Sequence, residues 1–367
     1  MQAKTDVLIV GAGPTGLSAA LFLLDQGHRV RLIDRRSEPS SFSKAFGVNA
    51  RTLDLLSASG VSESFIANGR KLERINIRRR GKVLGTLQLD DVADEYPFLC
   101  VQSQADSERI LTEAVQERSG VVERGVELTN LEQGDAGVEV TTRSSSGEQV
   151  ILASTVFGAD GATSTVRNLL GVDFEGTTYP EPWQLFDVEL ETPLPPDEAN
   201  IFLLADGGMF VVRHAGNLWR VLGSGADLLG ALPAGTKIGP VHWESSFQVS
   251  NRVAAKFSHG RVHLGGDAAH THAGIGARGM NLGIEDAFVF ATLFDQGRLK
   301  DYEHLRRPIV QKVVREITRM MMVPRSQTLP GRIVRAVPAI VGVVLPLART
   351  RIQPWLLGLD HEIHLRH

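Results

Sequence analysis

The 367-residue sequence predicts an α/β fold: a Rossmann-like dinucleotide-binding domain, an inserted and mainly antiparallel β-sheet domain, and C-terminal helices. Three observations predict it. A strand–turn–helix–strand pattern opens the chain between Asp6 and Asp34. Two further strand-to-glycine junctions follow, at Gly158-Ala159-Asp160-Gly161 and Gly265-Gly266-Asp267. Between these junctions lies a run of alternating strands punctuated by hairpin turns.

The opening pattern is read residue by residue. Asp6–Val10 is a compact apolar run bounded by glycine, as a buried parallel strand should be. From Pro14 and Thr15 onward, Leu17, Leu21 and Leu24 recur at helical spacing. Val30–Ile33 forms the second strand and Asp34 ends it. Gly11 permits a tight turn, Gly13 lets a pyrophosphate approach the backbone, and Gly16 lets helix and strand pack closely. Free N–H groups at the helix start face phosphate. A carboxylate at Asp34 can accept hydrogen bonds from an adenosine ribose. This segment alone leaves NAD and FAD open.

The second junction ends the strand Gln149–Gly158. Asp160-Gly161 makes a turn, Ser164 sits at a helix-cap position, and Arg167 lies one helical turn on. The third junction ends Arg261–Leu264 and places Asp267 at a strand C-terminus, where open α/β sheets bind ligands. Gly274, Gly276 and Gly279 then lead into a helix read as Asn281–Phe290. The N–H groups at its start suit the electron-rich edge of a flavin.

In this order the three segments resemble the group A flavoprotein monooxygenases, the para-hydroxybenzoate hydroxylase-like FAD-dependent aromatic hydroxylases. Lys44–Leu53, Gln104–Leu111 and Tyr302–Pro308 extend the resemblance over nearly the whole chain. It implies a discontinuous FAD-binding domain (1–70, 99–175 and 259–300), a substrate-binding β-sheet domain (71–98 and 176–258) and a C-terminal helical region (301–367). By similarity, Gly11, Gly13, Pro14, Thr15 and Gly16 hold the FAD pyrophosphate, and Asp34 with Arg35 the adenosine end. Gln104 touches the cofactor, and Asp160 serves both FAD and the nicotinamide donor. Asp267 binds the ribityl chain, while Gly276, Gly279, Met280 and Asn281 surround the isoalloxazine. NADH or NADPH would reduce the flavin, and O2 would form a C4a-hydroperoxide that hydroxylates an aromatic or polyketide-like small molecule. Related chemistries kept open are a reductase of the geranylgeranyl-reductase type and a non-catalytic flavin-binding protein. A halogenase is disfavoured by the lack of a Trp-x-Trp-x-Ile-Pro run.

Three departures from the family pattern matter. Lys44 replaces the usual arginine, keeping charge but losing the planar fork. Ala273-Gly274 replaces a proline-rich turn. Ala277-Arg278 replaces Gly-Gln, and Arg278 either adds a cation beside the flavin or points outward. In the substrate half, Trp183–Leu190, Asn200–Leu204, Gly208–His214 and Asn217–Leu222 alternate, with turns at Asp206-Gly207-Gly208 and Ala215-Gly216-Asn217. Candidate pocket residues are Trp183, Gln184, Arg213, His214 and Ala273, with His214 the candidate base for a phenol. His270 and His272, two apart in a glycine-rich turn, read as structural rather than metal-ligating.

Bulk properties set the remaining bounds. With 39 basic and 42 acidic residues, nothing points to nucleic acid. A single cysteine, Cys100, excludes an intramolecular disulfide and reads as a core filler in a reducing cytoplasm. No signal peptide opens the chain, and Ile333–Ala348, interrupted by Arg335, Pro338 and Pro346, reads as packed helix rather than membrane. The length leaves no room for the C-terminal thioredoxin-like domain of larger phenol hydroxylases. A homodimer is compatible with the sequence, and the expected partners are a small-molecule substrate, O2 and NAD(P)H.

Overall fold

The computed structural model describes residues 4–39, 47–325, 338–363 and 365. The expectation at Lys44, and the part of Ile333–Ala348 before Pro338, lie outside these residues.

Among the described residues, two eight-stranded sheets and a small three-stranded one organise the fold. In the first sheet, Thr5–Val10 pairs in parallel with Gly147–Gly158 on one side and Val30–Asp34 on the other. Val262–Leu264 extends it in parallel beyond Gly147–Gly158, and Val122–Arg124 beyond Val30–Asp34. A hairpin, Glu127–Gly134 and Gly137–Ser144, joins it antiparallel. The central strand is almost wholly buried, which is why it reads as a continuous apolar run rather than an alternating one. The three strands that carry the motifs are therefore neighbours: Gly158 ends one, and Gly11 and Gly265 directly follow the other two.

The second sheet is built on two long antiparallel strands, Phe174–Glu191 and Lys237–Ala254. The expected hairpins are present: Ala199–Leu203, Gly208–Ala215 and Leu218–Ser224 pair in succession. Arg74–Arg79 and Lys82–Gln88 join the same sheet. Alternation sends Phe186, Val188, Trp219 and Val221 to a satellite core on the outer face. Trp183 and Leu222 fall on the other face. Cys100 is fully buried, donates to Phe65 O at 3.3 Å, and burial pushes its thiol up to about 12, so it is an inert core filler.

The first helix, Pro14–Asp25, crosses the central helix, Arg278–Asp295, at close range. Two glycines set that distance. A β-carbon at Gly266 would stand 2.4 Å from Thr15 Oγ1, and one at Gly283 only 2.2 Å from it. The central helix begins at Arg278, three residues before the position read from sequence. Gly279 and Gly283 cost helix propensity, but Gly283 is required by the approach to Thr15.

Beneath the central helix lies a buried charge cluster. Asp286, with no exposure, accepts from Gly266 N (3.0 Å), His270 Nε2 (2.7 Å) and Arg306 Nε (2.8 Å). Arg306 also donates to Glu285. Burial alone would raise the Asp286 pKa, but the Arg306 charge and the His270 and Arg306 hydrogen bonds outweigh it and hold it below its ordinary value. His270 is thus a structural donor, as read from sequence. The long helix Tyr302–Arg325 is fastened to the third junction again by Tyr302, whose hydroxyl donates to Leu264 O at 2.9 Å. Among the described residues no helix is long and apolar enough to cross a membrane.

Candidate active site

A groove of 530 Å³ follows the C-terminal ends of the first sheet. At Gly11 the backbone φ is +106°, and a β-carbon there would lie 2.3 Å from Ala159 O. Gly16 is equally confined, with Gly11 O at 1.8 Å from its hypothetical β-carbon. These two glycines are required by the protein itself. Gly13 differs: its φ of −79° suits any residue, and a β-carbon there would meet no protein atom within 4 Å. Its open side belongs to the groove, at the start of the first helix.

Asp34 is buried and its carboxylate is tied on both sides. Oδ2 accepts from Ala12 N at 2.7 Å, and Oδ1 from Arg36 N at 2.8 Å. It therefore braces the glycine turn while lining the groove beside Arg35 and Gln104. Gln104 donates to Glu108 at 2.8 Å. Asp160 also lines the groove and acts as a cap: it accepts from Ser164 Oγ (2.5 Å) and Val166 N (3.0 Å). Desolvation is the main cause that raises its pKa, opposed by these hydrogen bonds. Ser164 accepts from Arg167 N, as the cap position predicts. Arg167 then reaches across, donating to Ala268 O and Ala162 O, each at 2.8 Å. This one guanidinium ties the second junction to the third.

Asp267 is exposed and lines the groove with Gly274, Ala277, Gly279 and Met280. Asn281 stands behind the lining. Its side chain accepts from Asn49 N (3.0 Å) and donates to Gly47 O (2.8 Å), holding the segment that begins at Gly47 against the central helix. Gly276, at φ +73°, also stands behind: a β-carbon there would strike the Trp355 ring at 2.3 Å. Ala273 is fully buried and donates its N–H to Asn251 Oδ1.

Of the pocket candidates from sequence, only Trp183 lines the groove; Gln184, Arg213, His214 and Ala273 do not. Arg213 pairs with Asp197 at 3.3 Å instead. A register shift between Arg213 and Ala215 interrupts the regular alternation there. The pocket residues that sequence reading missed are Leu222, Phe247 and His272. Phe247 lies directly opposite Trp183 across paired strands, and only the pairing register reveals this.

Arg278 supplies no cation to the groove. Its side chain is buried, donates to Trp355 O, and pairs with Asp360 at 2.9 Å. The same C-terminal segment is held by Arg51, which donates to Gly358 O and His361 O. His361 bridges Glu285 (2.7 Å) and Asp360 (3.3 Å). Residues 355–361 thus clasp both turns that carry the far end of the groove.

The chain matches the FAD binding domain family over residues 4–221 and 231–317. It is 33% identical over 349 residues to 12-dehydrotetracycline 5-monooxygenase/anhydrotetracycline 6-monooxygenase of Streptomyces rimosus, covering 85% of this chain and 68% of that protein. It is 30% identical over 344 residues to pentachlorophenol 4-monooxygenase of Sphingobium chlorophenolicum, covering 85% of this chain but 64% of the relative. The solved anhydrotetracycline hydroxylase of Streptomyces rimosus superposes with a TM-score of 0.81 at 28% identity, covering 100% of this chain and 78% of that one. The chain belongs to this family of FAD-dependent monooxygenases, and FAD is its cofactor. The groove fits FAD: the open face of Gly13 beside a helix N-terminus suits a pyrophosphate, and the strand ends supply carboxylates at Asp34 and Asp267.

Two outcomes follow. Gly13→Ala should leave the stability of the apoprotein within about 1 kcal/mol and weaken FAD binding by about tenfold or more. Gly11→Ala should lower the unfolding midpoint itself; equal effects of both on unfolding would refute the assignment of Gly13 to the ligand. The second concerns pH. Burial lowers the His361 pKa, but hydrogen bonds to and the charges of Asp360 and Glu285 outweigh it and raise it. Arg278, Lys312 and Arg306 share these carboxylates. A raised histidine pKa stabilises below its unfolded value near 6.5 and loses that contribution as pH rises through the folded value. The melting temperature should therefore fall from about pH 6 to about pH 9 by more in the wild type than in His361→Gln.

Proposed function

We propose that this protein is a monooxygenase that places one atom of O2 on an aromatic or polyketide-like ring, using NADH or NADPH as reductant. The observation that carries this reading is the composition of the groove. Its nucleotide-binding turns continue without a break into a chamber lined by Trp183, Leu222 and Phe247 of the second sheet. That is the arrangement an oxygen transfer from flavin to an apolar ring requires. The monooxygenases of tetracycline and pentachlorophenol named above support the same substrate class for this chain.

When bound, FAD supplies acceptance of hydride from the nicotinamide and activation of O2 at its C4a carbon. The chain's own residues do the rest. Gly11, Gly13 and the first helix fix the pyrophosphate end, and Asp34 and Gln104 the adenosine end. Asp267 would hold the ribityl chain and Met280 would bound the ring, while the N–H dipoles at the start of the central helix would favour negative charge on it. Leu222, Phe247 and the Trp183 ring exclude water from the transferring oxygen. No protein nucleophile is needed.

FAD-loaded protein supplied with NAD(P)H, labelled O2 and a panel of phenols should yield a product carrying one labelled oxygen atom. A product without label would sink the proposal in favour of a reductase. Phe247→Ser, by admitting water, should divert severalfold more of the consumed NAD(P)H to H2O2.

A further inference from the structure

The substrate end of the groove holds two polar atoms that no described residue satisfies. Trp183 Nε1 and His272 Nε2 are both buried and without a hydrogen-bond partner among the described residues. Buried polar groups are otherwise paired almost throughout native proteins. Both residues line the groove.

The His272 tautomer is fixed by geometry. Its Nδ1 lies 2.8 Å from Ala273 O. A carbonyl oxygen only accepts, so Nδ1 carries the proton and Nε2 presents a lone pair. Burial lowers the His272 pKa to about 4, so the ring is neutral and Nε2 remains an acceptor at neutral pH. This end of the ring faces the start of the central helix, 3.8 Å from where a side chain at Gly279 would begin. The Trp183 indole nitrogen can only donate. Leu222, Phe247, Gly274 and Met280 complete the lining here, and none is charged. Leu222 Cδ2 lies 3.7 Å from the hypothetical β-carbon of Gly274, which brings the second sheet directly over the turn that carries His272.

We propose that His272 and Trp183 are the specificity-determining pair of the substrate chamber: His272 Nε2 accepts from a hydroxyl of an uncharged ring, and Trp183 donates to an oxygen of the same molecule. This rests on the monooxygenase reading above. The pair selects a neutral hydroxylated aromatic. A carboxylate or phenolate would set its negative charge against the Nε2 lone pair with no cation nearby among the described lining residues. Arg278, the adjacent cation in sequence, is committed to Asp360. The pair also moves the substrate contact away from His214, which lies off the groove.

The test uses FAD-loaded protein and three probes: 2-naphthol, its methyl ether 2-methoxynaphthalene, and 2-naphthoate. Binding is read from the flavin absorbance change, and FAD affinity is measured separately from flavin fluorescence. The wild type should bind 2-naphthol about tenfold or more tighter than the ether, and the carboxylate least of all. His272→Phe should abolish the preference for the hydroxyl. His272→Gln, which restores an acceptor near the Nε2 position, should keep most of it. FAD affinity should be the same in all three proteins. A wild type that does not distinguish naphthol from its ether overturns the inference. So does a His272→Phe protein that keeps the preference while its FAD affinity falls, because that places Nε2 on the flavin. Protein that takes up no FAD overturns the function proposed above and this inference with it, and that result is read before any naphthol is added.

Discussion

The carboxylate of Asp286 is the contact on which the site depends. One fully buried acid takes three donors from three parts of the chain: the Gly266 turn, the strand carrying His270, and the helix carrying Arg306. It fixes the third junction against the central helix. The Gly266 and Gly283 approaches to Thr15 then fix that helix against the first one, and Arg167 reaches back from the second junction to Ala268 O. Three segments distant in sequence become the walls of one groove by this chain of contacts. Removing one partner of such a buried ion pair leaves an uncompensated charge, which typically costs about 3–5 kcal/mol.

Much of this site was legible in the sequence, for a physical reason. Gly11 needs glycine for its φ of +106°, and Gly16 because Gly11 O stands where its β-carbon would be; both needs are local, although Gly11 also meets the distant Ala159 O. The Asp160, Ser164 and Arg167 cap was readable on the same ground, since capping partners sit within a turn of each other. What connects the segments was not readable. The reach of Arg167 to Ala268 O, the three donors on Asp286 and the turn of Arg278 toward Asp360 all depend on partners far away in sequence. Periodicity describes one element at a time and is silent about them.

The substrate sheet shows the same division. Its hairpins followed from turn residues. Arg213 and His214 were chosen for their polar chemistry, which does not say which face of a strand a side chain takes. Leu222 and Phe247 carry no mark in their own segments and become visible only once strands are paired. His272 was read as structural, and half of it is: Nδ1 is spent on its own turn, which is what leaves Nε2 facing the chamber. The departures at Ala277-Arg278 likewise acquire a structural meaning. The cation serves the C-terminal clasp that backs the turn, so Arg278 adds no positive charge to the groove beside the central helix.

The most direct test of this account is FAD affinity in Asp286→Asn, measured alongside circular dichroism of the same protein. The substitution keeps size and one acceptor oxygen but removes the charge that faces Arg306 and His270. If Asp286 assembles the site, the variant retains its secondary structure while FAD binding weakens by about tenfold or more. Wild-type FAD affinity in the folded variant would contradict the claim that this carboxylate holds the three segments in register.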